Sequence, residues 1–142
     1  MTNSVTSCAV KLAVSTKQLH IERQPGSVTG VYPQPWQDVP ASWFASGVTL
    51  YSDEDVLRYR FVDPTSIHIA GIVRATIDNS KDILNLPYTS VFPTKIQYRS
   101  NVITSAQSTA PYLYLSKGGS VIKGNGLGTA AWIMMDTVFE VN

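Results

Sequence analysis

Few side chains in this sequence have the type and spacing that bond-making chemistry needs. The cysteine is Cys8 and the histidines are His20 and His68. Their separations match no zinc-ligand pattern, so no metal and no other cofactor is expected. There is no Gly-x-Ser-x-Gly turn and no Cys–His arrangement that would activate a nucleophile. Asp53, Glu54 and Asp55 adjoin one another, a run that could serve calcium or glycoside chemistry. Side by side in a polar turn they read first as a solvated loop, because paired-carboxylate catalysis needs two acids across a cleft. The stretch "GNGLG", 124–128, lacks the strand-to-helix context of a phosphate loop.

The chemistry these residues do favour is stacking. Sugar rings present flat C–H faces to aromatic rings, while their hydroxyls need polar partners. Trp36, Trp43 and Tyr98 are candidates for the apolar faces of a saccharide site, and Asp55, His68 and Arg99 for its polar contacts. A cleft between subunits would gather them more easily than one protomer. The competing reading is structural. Both tryptophans could seal a subunit interface, where such residues are enriched. His68 could be a plain surface or subunit-contact residue, and Trp132 reads as core.

The rest of the chain must position these groups. Its 142 residues suit one domain with a core of its own, and 44% of them are hydrophobic. Charged residues make up 15%, against about 25% in ordinary globular proteins. The net charge of +1 comes from scattered Lys and Arg with no basic stripe, which disfavours nucleic acid as a partner. No stretch approaches a membrane span, so no membrane insertion is expected. "CAVKLAV" is too short, and too interrupted by Lys11, for a secretory signal core. Folding in the cytoplasm of the producing cell follows as an expectation.

Val10, Leu12 and Val14, then Leu19 and Ile21, alternate like two short strands. Pro25, Pro33, Pro35 and Pro40 exclude a regular helix or a central strand across the next segment. Residues 1–46 are therefore expected as an N-terminal part ending in an extended Pro-rich segment, and 47–142 as a β head domain. In "VLRYRFV", Leu57, Tyr59 and Phe61 take one face and Arg58 and Arg60 the other. Asp63-Pro64 turns the chain, and Ile67, Ile69, Gly71 and Val73 then share a face. Gly71 in mid-strand suggests a bulge or a close backbone approach. "ILNLPYTSVFP" reads as irregular, "KIQYRSNVIT" as a strand and the start of another, and "GNGLG" as a flexible loop. Two runs flank Lys117-Gly118-Gly119 as a hairpin, and "AAWIMMDTVFEV" closes the chain as one or two strands. Short strands with Gly/Pro turns and no helix of useful length predict an all-β, antiparallel sandwich or barrel.

These segments form an ordered series. Tyr59, Arg60, Ile67, Ile69, Gly71 and Val73 come first, then Leu86, Pro87 and Pro93, then Gly119 and Val121, then Trp132, Asp136 and Phe139. The series covers about Gly47 to Val141 and resembles the C-terminal head domain of tailed-bacteriophage tail-fibre and baseplate receptor-binding proteins. No single motif in it is specific; order and spacing together carry the likeness. The resemblance implies a homotrimeric, non-enzymatic head at the tail tip or baseplate of a virion. It implies binding to a host cell-wall or surface polysaccharide, with other virion proteins as neighbours. Such heads usually follow a long shaft, so the short part before the match reads as a compact anchor, a fragment boundary or the mark of an accessory piece. The shared motif contains none of the family's binding residues. Two other readings remain open: a structural virion protein, such as a capsid decoration, collar or minor capsid component, and a small glycan-active enzyme using Asp53 or Asp55.

Overall fold

A computed structural model describes residues 30–77, 81–106, 110–128 and 130–142 of the chain. The expected N-terminal strands, with Cys8, His20 and Pro25, lie outside the described residues. Tyr32–Asn142 form one compact unit.

Within this unit the described residues form ten strands in chain order. They are β1 Gln37–Asp38, β2 Val48–Leu50, β3 Arg58–Asp63, β4 Ser66–Ile77, β5 Lys81–Asn85, β6 Gln97–Arg99, β7 Val102–Thr104, β8 Tyr112–Leu115, β9 Val121–Asn125 and β10 Ala130–Glu140. The helical content among the described residues is a single 3₁₀ turn, Ala41–Trp43. All pairings are antiparallel. The larger sheet has the order β1-β3-β4-β10-β7, with β2 also on β4; the smaller has the order β5-β9-β8-β6. The two sheets pack face to face as a β-sandwich.

The alternation of the sequence decides which side chains meet between the sheets. In β3, Tyr59 and Phe61 point inward and Arg58 outward. Ile67, Ile69 and Val73 of β4 are fully buried, as are Ile133 and Phe139 of β10. The smaller sheet answers with Ile83, Leu84, Leu113, Leu115 and Ile122. The β3–β4 hairpin is set by Asp63, whose Oδ1 accepts the backbone N–H of Thr65 at 2.9 Å. The β8–β9 hairpin turns through Gly118 at φ +56°, with Gly119 N–H donating to Ser116 O at 2.9 Å.

Gly71 marks a close backbone approach. Its φ is +131°, and a Cβ there would stand 2.6 Å from Val56 O. The chain leaves β2 opposite Val73 and joins β3 opposite Ala70, so on the same edge of β4 one strand pairs after this residue and the other before it. Only a residue without a side chain lets the returning backbone pass.

Four expectations need correction. Residues 83–85 are not irregular but belong to β5. A register shift between Asp82 and Leu84 turns both Ile83 and Leu84 inward, which breaks the alternation that identifies strands. "GNGLG" is not a free loop: Gly124 lies in β9, and Leu127 is fully buried against it. Trp132 is half-buried and not a core residue. Residues 32–46 belong to the sandwich unit, because Val39, Trp43 and Ala45 sit in its core.

Candidate functional site

The register of the larger sheet produces a depression on its outer face. Asp38 pairs with Arg58, Arg58 with Ala70, and Ala70 with Asp136, so four strands contribute one outward row. Asp136 N–H donates to Asn101 O at 3.3 Å, bringing the segment before β7 to the end of that row. Ala70 carries the shortest side chain of the series, flanked by much longer ones. The sheet surface sinks there because neighbouring strands stand only about 4.8 Å apart, and Gly71 beside it adds no side chain.

Two concavities meet at Ala70 and Gly71. One, of about 250 Å³, is lined also by Trp36 and Arg58. The other, of about 500 Å³, extends past Asp136 and Asn101 to Met134 and Ile103. Together they form a trough running across the strands. Its Trp36 end is stiffened from beneath. The Arg60 guanidinium lies 4.4 Å from the Trp36 ring centre, and the His68 ring meets the indole edge-on at 4.9 Å. Arg60 Nε is buried with no hydrogen-bond partner among the described residues, covered by that indole. His68 Nε2 donates to Asp136 Oδ1 at 2.5 Å, tying β4 to β10 at the trough's edge. Arg58 Nε donates to Asp38 Oδ1 at 3.1 Å on the exposed rim.

The six residues singled out from the sequence are not brought together within this one chain. Trp36 and His68 come together here. Trp43 does not: it is buried, with its ring centre 4.7 Å from Tyr59 and 5.9 Å from Tyr88. Pro40 precedes its 3₁₀ turn with φ −62°, and that turn folds the indole inward. Arg99 is also committed elsewhere. Its guanidinium donates to Val138 O at 2.5 Å, Tyr98 O at 2.7 Å and Gln97 Oε1 at 3.0 Å, and lies over Phe139. Burial lowers its pKa from the usual arginine value, with the Glu140 carboxylate opposing that shift. Asp55 lies in the exposed 52–55 turn, where Ser52 Oγ accepts the N–H groups of Glu54 at 3.3 Å and Asp55 at 2.9 Å. Tyr98 is exposed on the outer face of the smaller sheet, beside Tyr112 and Tyr114.

The residues missed from the sequence are Arg58, Ala70, Asn101, Ile103, Met134 and Asp136. Alternation already turned Arg58 outward. What brings the others to it is the pairing of β10 with both β4 and β7, which a single strand's pattern does not encode.

The trough combines one aromatic ring with a cation, a carboxylate held by imidazole, a carboxamide and aliphatic surface. Such a surface can hold a neutral polar ligand by stacking and hydrogen bonds. Among the described residues no cluster of potential metal ligands occurs. No helix of the described residues is long and apolar enough to cross a membrane. Comparison with protein-family models, with curated proteins and with solved structures gives no match.

Proposed function

We propose that this chain is a non-enzymatic saccharide-binding protein of a bacteriophage virion, a receptor-binding head that works as a homotrimer at the tail tip or baseplate. The observation that carries the saccharide reading is the trough with Trp36 at one end. The ring is 39% exposed, is braced by Arg60 and His68, and shares the trough with Arg58, Asp136 and Asn101. An exposed, stiffened indole beside hydrogen-bonding groups suits the flat face and hydroxyl edge of a pyranose.

The absence of turnover in this reading also has a geometric support. The carboxylates at the two sides of the row, Asp38 and Asp136, are three strand spacings apart. That is about 14 Å, beyond the ~6.5–9.5 Å across which two acids activate a water at a glycosidic bond. Each is also bonded, Asp38 to Arg58 and Asp136 to His68. The virion setting and the number three come from the resemblance in the strand series, and closed cyclic assembly is the general expectation for identical chains. Single-site affinity is expected to be weak, because hydroxyls exchange water for protein partners at small net gain. Linking several sites then supplies retention on a cell.

The second reading is a structural virion component without glycan binding. It draws on Ile103, 62% exposed, and Met134, 44% exposed, beside the edge strand β7, an apolar strip that would suit a subunit contact.

The test is a glycan array with the purified chain, Trp36→Ala and Ala70→Phe, together with sedimentation. The proposal expects glycan binding that both substitutions lower by about tenfold or more, with the fold retained and a mass of three chains. Binding to no glycan, or binding indifferent to both substitutions, refutes the saccharide reading. A sedimentation mass of 15.5 kDa refutes the trimer.

A further inference from the structure

The two halves of the trough differ in a way that selects among saccharides; the inference rests on the saccharide reading above. The smaller half offers an indole face and a guanidinium, from Trp36 and Arg58. The larger half offers the aliphatic side chains of Met134 and Ile103 as one strip, with Asn101, Ser100 and Asp136 beside it. Ile103 and Met134 are opposite one another in the β7–β10 ladder, so their side chains form one strip.

A bare pyranose fits the first half, but over the Met134–Ile103 strip of the second its ring hydroxyls would lie against aliphatic surface that returns no hydrogen bond, and each would lose its water. The group that covers this strip must end in an apolar tip. It must also carry polar atoms just behind that tip, within reach of Asn101, whose side-chain amide makes no hydrogen bond to the described residues. We infer that the bound sugar carries an acetamido group. Its methyl would rest on Met134 and Ile103, where the flexible thioether can adapt to it. Its C=O would accept from the Asn101 amino group, the N–H pointing to the opposite side of the trans amide. The sugar next to the one bearing it stacks on Trp36. The ligand is therefore an oligosaccharide of at least two residues, crossing Ala70.

The test uses matched oligosaccharides, each presented with its acetamido groups and as the hydroxyl counterpart of the same linkage, chitotriose with cellotriose being one such pair. The expected result is binding confined to acetamido members, with counterparts weaker by about tenfold or more. Met134→Gln, Ile103→Gln and Asn101→Asp should each narrow that preference while Trp36→Ala weakens both members. Equal binding of paired members, with Trp36→Ala still damaging, overturns the acetamido inference and leaves the saccharide reading standing. A preference that survives all three substitutions also overturns it. Binding to no member of any pair, or binding unaffected by Trp36→Ala, overturns both.

Discussion

The outer faces of the two sheets both carry aromatic rings, and that of the larger sheet is hollowed at Ala70 and Gly71. On the smaller sheet Tyr98, Tyr112 and Tyr114 pack against each other, with ring centres 5.7, 6.1 and 6.2 Å apart. The Tyr112 hydroxyl accepts from Asn125 Nδ2 at 2.6 Å, and Lys123 is bonded to Asp82 at 3.1 Å. Rings and polar groups there are spent on one another. On the larger sheet Trp36, braced by Arg60 and His68, borders a hollow made by Ala70. Aromatic content does not make a hollow; a short residue in a row of long ones does.

The sharpest break between structural and surface aromatics lies within one segment. Trp43 and Trp36 share the Pro-rich stretch but are separated by burial. Trp43→Ala removes an indole packed on Tyr59 and Tyr88 and should cost about 3–5 kcal/mol in chemical denaturation. Trp36→Ala loses its contacts with Arg60 and His68 at a partly exposed position and should cost about 1 kcal/mol. Equal losses from the two would dissolve the distinction.

That distinction was illegible in the sequence because proline-rich chain has no period to say which way a ring points. The β3–β4 hairpin was legible for the opposite reason. Leu57, Tyr59 and Phe61 alternate strictly with Arg58 and Arg60, and Asp63-Pro64 ends the run. β5 was missed where its bulge puts Ile83 and Leu84 on the same side. The trough was hidden more deeply. Ala70 is unremarkable in β4 until Arg58 and Asp136 are known to flank it, and that knowledge sits in the order of strands, not in any one of them.

A smaller effect tests the smaller sheet. Tyr98 is 57% exposed, and among the described residues its ring contacts are with Tyr112 and Tyr114. Tyr98→Ala should lower stability by about 1 kcal/mol through the lost aromatic pairs. It should leave glycan binding within about twofold of the parent, since a site on the other sheet has nothing to lose. A tenfold drop in binding would move the site to the tyrosines and unseat the trough.

The smallest expected effect separates the two hairpins that set the registers of these faces. The β3–β4 turn depends on a carboxylate, whereas the β8–β9 turn runs through Gly118 and Gly119. The Asp63 carboxyl lies below its ordinary value, first because the Thr65 N–H bonds to its charged form, with burial opposing and further bonds from Ser66 and Thr65 assisting. A folded-state pKa below the unfolded one means the unfolded chain takes up the proton first as acid is added. The contribution of Asp63 is thus complete above the ordinary Asp range near pH 4 and fades as pH falls through the lowered value. Because the group is exposed, the loss should be slight and weakened further by salt. Amide exchange read hairpin by hairpin can still see it. Between about pH 5 and pH 2.5, protection in the Arg58–Ser66 ladder should fall relative to that in the Leu115–Ile122 ladder. Asp63→Asn keeps an acceptor for the turn but cannot titrate, so it should abolish the difference while changing little at neutral pH. If both ladders loosen together in the parent, or the asparagine variant keeps the difference, Asp63 does not control the register that places Arg58 opposite Ala70.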